Sequence, residues 1–210
     1  MITIVDYGAG NLRSIRRALE SAGAEVAVSV DPRDVAGADA VVLPGVGAAG
    51  HAMDRLHHLG MTEPLLDAAR TGKPLLGICL GMQLLFGHQD EGGVQGLGLL
   101  PGRIKPLGGP VKIPHMGWNL SRTKRSGPLG EQGEERYYYF VHSFVAEADD
   151  PSHVVAEAEY GQCFPSIVVD DNVWGTQFHP EKSGQDGLDL ITAFVGLVRT
   201  STSADRAVTP

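Results

Sequence analysis

The sequence predicts an α/β fold: a doubly wound, mostly parallel central sheet with flanking helices, and an additional antiparallel β region in the second half. Three observations predict it. Short apolar runs rich in β-branched residues alternate with helix-period stretches through the first half. Glycine-rich turns follow those runs directly, where a parallel sheet builds its binding crevice. The second half instead strings β-rich runs together through short polar turns.

Ile2–Val5, bounded by Asp6-Tyr7-Gly8, reads as a buried parallel strand. Asn11 is a candidate N-cap for a helix with Leu12, Ile15, Leu19 and Ala22 on one face and Arg13, Arg16, Arg17 and Glu20 on the other. Gly23 ends it. Residues 25–30 and Ala40–Leu43 read as the next strands and complete a βαβ rhythm. Gly8-Ala9-Gly10-Asn11 lacks the full GxGxxG spacing, so it reads as a tight turn or an anion-binding helix start, not a dinucleotide site. Residues 51–71 read as helix, broken near Gly60 or Pro64. His51, His57 and His58 have no carboxylate or cysteine partner at metal spacing and read as a solvated face, so no metal is expected.

Residues 87–102 read as surface loop, 103–121 as mixed structure and 124–135 as an exposed connection. The segment 136–145, centred on YYYFVHSF, is strongly β; its His142 reads as catalytic or as a packed strand histidine. Val154–Tyr160, 167–169 and 173–178 read as further strands, with Asp170-Asp171-Asn172 turning the last hairpin. The final helix aligns Leu188, Ile191, Phe194, Val195 and Val198 on one stripe. Residues 1–200 read as one domain and the polar segment 201–210 as a disordered tail.

Composition narrows the function. Hydrophobic residues at 42% and charged residues at 20% describe an ordinary globular protein. A formal net charge of −8 disfavours nucleic acid, whose phosphates need a basic face. MITIVDYGAG lacks the basic region and long apolar core of a signal peptide, and no apolar run reaches the ~18–20 residues of a membrane span. Only Cys79 and Cys163 occur, so there is no disulfide framework, and Cys163 reads as a small packed residue. A reducing, cytoplasmic setting is expected, where a lone thiol survives as a nucleophile.

The chemistry centres on residues 73–86, KPLLGICLGMQLLF. A strand that ends in a tight turn and opens a helix presents a nucleophile above a sheet. Gly77 and Gly81 flank that turn, where a Cβ would meet the turn backbone or the neighbouring strand. Cys79 then stands at a helix start, which favours a thiolate; the alternative is a buried cysteine in a connection whose glycines serve only the turn. Pro44-Gly45-Val46-Gly47 follows another strand at the same sheet edge and can offer backbone N–H groups to an oxyanion, or be only a turn. His179-Pro180-Glu181 ends a later strand, as a base with a group to hold its tautomer, or as a plain surface turn.

Gly77-Ile78-Cys79-Leu80-Gly81-Met82-Gln83, followed roughly a hundred residues later by His179-Pro180-Glu181, resembles the G-x-C-x-G-x-Q and H-P-E pattern of class I (triad-type) glutamine amidotransferases. VDYGAGN, PGVG, PHMGWN, YFVHSF and QFHPEKS are similar to the members that serve histidine biosynthesis, feeding ammonia to a synthase that makes imidazole glycerol phosphate. The resemblance spans about residues 1–198. It implies Cys79 as nucleophile, His179 as base and acid, and Glu181 as its orienting carboxylate. It implies an oxyanion site on the Leu80 N–H and the Val46-Gly47 loop, and glutamine held by Gly47, Gln83, Ser143 and Phe144. It implies no cofactor. The implied partner is a (β/α)8-barrel synthase subunit in a heterodimer, docked near Lys182 and Asn11; Lys182 otherwise reads as a plain surface lysine.

Two stretches depart from the family: the loop Gly87-His88-Gln89-Asp90-Glu91-Gly92, and Phe164-Pro165-Ser166, where a proline interrupts a strand. The competing readings are a glutaminase for an anthranilate, aminodeoxychorismate or guanylate synthase, a non-catalytic scaffold subunit, and a peptide-cleaving cysteine hydrolase.

Overall fold

The computed structural model describes the backbone of residues 1–208 and the side chains of residues 1–201. β1 (Ile2–Val5) is buried throughout, as a nearly unbroken apolar run requires. α1 (Leu12–Ser21) starts where the Asn11 side chain accepts from the Ser14 N–H, and it buries Ile15 and Leu19. β2 (Val26–Ser29) leads to α2 (Pro32–Ala36), which the apolar pattern is too short to reveal. Its start signals are Asp31 capping Arg33 N–H and Pro32 in the first turn. β3 (Ala40–Leu43) precedes α3 (Ala49–His58) and α4 (Thr62–Arg70), so the helix breaks at Gly60, while Pro64 sits in the first turn of α4 where no hydrogen bond is lost. His51, His57 and His58 are exposed.

β4 (Leu75–Ile78) runs into α5 (Leu80–Leu85). The expected loop at 87–102 is instead half strand: β5 (Phe86–Gln89), β6 (Val94–Gln95) and the start of β7 (Leu100–Pro106) fall within it. β8 (His115–Thr123) and β9 (Glu135–His142) follow, and Ser143 separates β9 from β10 (Phe144–Ala148), so the segment expected as one strand is two. β11 (Val154–Tyr160), β12 (Gln162–Asp170) and β13 (Val173–Thr176) close the strand inventory. α6 (Gly184–Val208) buries Leu190, Ile191, Phe194, Val195 and Val198, with Leu188 half-buried. The backbone is helical to Val208; the rest of the tail expected at 201–210 lies outside the described residues.

The main sheet has nine strands in the order β2-β1-β3-β4-β13-β12-β11-β8-β9. From β2 to β13 neighbours run parallel; from β13 to β9 they run antiparallel. A second sheet of four strands, β10-β7-β5-β6, packs beside it. Pro165 falls where the β11–β12 register shifts, which is where a strand interior tolerates proline. Apolar layers fill both faces of the main sheet, Ile4, Phe140 and Phe194 on one, Val41, Leu56 and Leu84 on the other. β4 and β13 are adjacent and parallel, with Ile78 beside Thr176, so their carboxyl ends open on one spot.

Candidate active site

Cys79 follows β4 with φ 54 and ψ −110, a conformation an L-residue adopts only when its surroundings enforce it. Neighbouring backbone supplies that enforcement. The Cys79 N–H donates to the Thr176 carbonyl at 2.7 Å. A Cβ on Gly81 would overlap the Leu43 carbonyl oxygen, and one on Gly77 would lie 2.7 Å from the Gly81 oxygen. The two glycines thus serve close approach, as expected from the sequence. The thiol is buried and points to the Val141 carbonyl at 3.5 Å.

His179 follows β13 and is buried. Its Nδ1 lies 2.9 Å from Glu181 Oε1, and the Glu181 side chain has 0% exposure. Nε2 is therefore the nitrogen left for Cys79. Burial pushes the imidazole pKa down, but hydrogen bonds and charge interactions with Cys79 and Glu181 outweigh it and raise the pKa to about 9. Pro180–Lys182 forms a single 3-10 turn. Ser183 Oγ donates to the His179 carbonyl at 2.7 Å and accepts from the Tyr139 N–H at 3.0 Å, which ties the corner to β9. Phe178 stacks flat on Tyr138 at 3.7 Å and seats the same joint.

Both corners open on a cavity of about 350 Å³. Cys79, Leu80 and Gln83 form one wall. Val46 and Gly47 form a second, on a loop held down by Tyr7, whose hydroxyl donates to the Pro44 carbonyl at 2.8 Å. Burial raises the Tyr7 pKa and the neighbouring Cys79 adds to the rise, which keeps that donor protonated. A Cβ on Gly45 would lie 2.7 Å from the Gly81 nitrogen, so this loop packs directly on the Cys79 turn. His142, Ser143 and Phe144 form a third wall, and His179 and Lys182 close the mouth. Asn11 does not line the cavity; it caps α1, next to Gly10, whose Cβ position lies 3.0 Å from Pro44.

Two further residues enter the site. Gln177, buried under the thiol, has its Nε2 4.0 Å from Cys79 Sγ, and its Oε1 accepts from Gln83 Nε2 at 3.1 Å. Its signal was its place two residues before His179. Glu91 lines the cavity and accepts the Ala49 N–H at 2.8 Å, supplying from a distant loop the cap that Ala48 cannot provide to α3. Nothing local in its glycine-rich stretch marks it. His142 is a packed strand histidine hydrogen-bonded to His115, not a partner of the thiol. Cys163 is exposed, against the packed position expected, because its stretch of β12 turns that side chain outward.

The family model for "Glutamine amidotransferase class-I" matches residues 3–195. The chain is 50% identical over 202 residues to the imidazole glycerol phosphate synthase subunit HisH of Halobacterium salinarum, covering 92% of each chain. It is 48% identical over 200 residues to the HisH subunit of Methanothermobacter thermautotrophicus, covering 95% of this chain and 100% of that one. A solved glutamine amidotransferase superimposes with TM-score 0.76 at 20% identity, over 95% of this chain and 100% of the other. A putative GMP synthase subunit from Thermoplasma acidophilum does so with TM-score 0.73 at 21% identity, over 98% and 96%. At such identity these two likenesses speak for the fold alone. A class-I match along nearly the whole chain, with HisH relatives close to half identical, places this chain in the class-I glutamine amidotransferase family, among the imidazole glycerol phosphate synthase HisH subunits.

Proposed function

We propose that this chain hydrolyses glutamine to glutamate and ammonia through a Cys79 thioester and hands the ammonia to a synthase subunit in histidine biosynthesis. The observation that carries the reading is the meeting of Cys79 and His179 on one cavity, with the buried Glu181 on the imidazole Nδ1, in a chain of this family. Glutamine enters with its amide carbon against Sγ. His179 Nε2 takes the thiol proton, while Glu181 on Nδ1 holds the tautomer and stabilises the imidazolium. The thiolate attacks, and the oxyanion develops against the Leu80 N–H and the Val46-Gly47 loop. Collapse expels ammonia, protonated by His179, and leaves a glutamyl thioester on Cys79. Water that gives its proton to His179 cleaves the thioester, releasing glutamate and restoring the thiol. Gly47, Gln83, Ser143 and Phe144 hold the amino and carboxylate groups of the substrate. Gln83 Nε2 already donates to the Phe144 carbonyl at 3.0 Å and to Gln177, so it presents Oε1, an acceptor suited to the substrate's amino group.

Ammonia is mostly protonated at neutral pH and then no longer a nucleophile, so it must be delivered before it meets bulk water. The recipient is a (β/α)8-barrel synthase subunit in a cytoplasmic heterodimer. Its acceptor is a phosphoribulosyl carboxamide intermediate, and its products are imidazole glycerol phosphate and an aminoimidazole carboxamide ribotide. An exposed apolar strip supports docking beside the cavity: Met116 and Trp118 on β8, and Tyr137 on β9. Trp118 packs edge-on to Tyr139, and Lys182 lies over that tyrosine ring at 5.9 Å, so the strip reaches the mouth. Asn11 joins this face on the resemblance alone. No helix among the described residues is long and apolar enough to cross a membrane.

Glutamate release by the purified chain, alone and then with the liganded barrel subunit, tests the reading. Slow release alone and a large rise in the liganded complex support it. No release in any mixture, with Cys79 inert to iodoacetamide, overturns it.

A further inference from the structure

His115 and His142 face each other as a register pair across β8 and β9, both buried, and the mechanism above uses neither. His115 Nδ1 lies 2.9 Å from His142 Nε2. His142 Nδ1 lies 2.9 Å from the Phe144 carbonyl oxygen. His115 Nε2 lies 3.4 Å from Asn119 Nδ2. The hydrogens can be counted. A carbonyl only accepts, so His142 Nδ1 carries the hydrogen. In the neutral ring Nε2 then accepts, so His115 Nδ1 donates to it. That leaves His115 Nε2 to accept from the Asn119 amide, which also donates to the Glu159 carbonyl at 2.9 Å. Both rings are satisfied only when both are neutral.

Their surroundings keep them so. His115 lies between the rings of Tyr160 and Phe140, and Phe164 stands edge-on to both histidines. Burial lowers both pKa values to about 4. The charge of His179 further disfavours a proton on His142.

The chain of hydrogen bonds ends on the wall of the cavity. The Phe144 carbonyl that receives it also accepts from Gln83 Nε2 at 3.0 Å, and Val141, one residue before His142, receives the Cys79 thiol. We infer that Asn119, His115 and His142 are positioning residues that lock the 141–144 corner in the shape that receives glutamine, working from the same strand, β8, that carries Met116 and Trp118 to the surface. The inference rests on the glutaminase reading.

Two variants separate the hydrogen bond from the packing. His115→Phe keeps a ring between Tyr160 and Phe140 but removes the donor. His115→Asn keeps a donor near the Nδ1 position but removes the stack. In the assembled complex, His115→Phe raises KM for glutamine about tenfold while kcat stays within about twofold. His115→Asn brings KM back to within about threefold of wild type. An unchanged KM in His115→Phe, or an equal rise in both variants, overturns the proposal. Ring-nitrogen NMR of the wild-type complex at pH 6 decides independently of whether the variants fold. Both histidines neutral with hydrogen on Nδ1 is the expected result, and hydrogen on Nε2 of either ring overturns it. Failure of the glutaminase reading shows elsewhere, as a wild-type complex that does not turn over glutamine.

Discussion

Where β4 meets β13 the strands run parallel and both are buried along their length; where β8 meets β9 they run antiparallel, with Met116, Trp118 and Tyr137 open to solvent. The first region holds Cys79 and His179 on turns locked by backbone contacts. The second holds the 141–144 corner by side chains, through His115 and His142. The contrast teaches a division of labour. Cys79 and His179 sit where the backbone has no freedom, and the 141–144 corner sits on strands whose other face remains open.

Cys79→Ala makes the sharpest cut through that division. Glutamine-dependent synthesis falls at least about 10³-fold, while synthesis from added ammonium in the complex stays within about twofold. Loss of both would mean that the two regions are not separable. His179→Ala follows closely, and Glu181→Gln loses less, about 10²-fold in kcat, because it keeps the shape of the hydrogen bond and removes only the charge. Equal losses would erase the distinction between base and orienting group. On the exposed face of β8, Trp118→Ala weakens partner binding about tenfold with an unchanged melting temperature of the isolated chain. A fall in that temperature would show Trp118 to be core, not surface.

The two regions also titrate in opposite directions. His179 is raised above the ordinary value of about 6.5, so its contribution to stability is complete below that pH and is lost as pH rises through about 9. His115 and His142 are lowered, so their neutral pair stabilises fully above pH about 6.5 and is lost as pH falls toward about 4. Melting temperature against pH should therefore peak near pH 6.5, with Glu181→Gln flattening the alkaline limb and His115→Phe the acid limb. A change of the same limb in both variants would contradict the assignment. The smallest expected effect is that of Cys163→Ser, which leaves turnover within about 1.5-fold and removes an exposed thiol that alkylates slowly, because desolvation and the neighbouring Glu157 raise its pKa.

Legibility in the sequence followed the same line. Ile2–Val5 and Ala40–Leu43 could be read to the residue, because a strand buried on both faces writes itself as an apolar run. The Cys79 turn and the His179 corner were legible for a related reason: their glycines, proline and spacing are local requirements. The four-stranded sheet was not. Phe86–Gln89 and Val94–Gln95 are short and glycine-rich, and they pair with each other and with β7, whose far edge is closed by Phe144–Ala148, so their strand character comes from this sheet and not from any local pattern. Glu91 was missed for that reason: it lies in the turn between these two strands, from which it reaches the start of α3. Cys163 was misjudged because one residue of register decides which face a strand side chain takes.

β13 is the last strand in the chain, yet it lies in the middle of the nine-stranded sheet, between β4 and β12. A growing polypeptide therefore carries Cys79 long before anything can complete the turn around it. The Cys79 N–H has its acceptor only once Thr176 exists, and His179 arrives three residues later. A nascent chain that ends before β13 therefore holds the thiol without the corner that faces it.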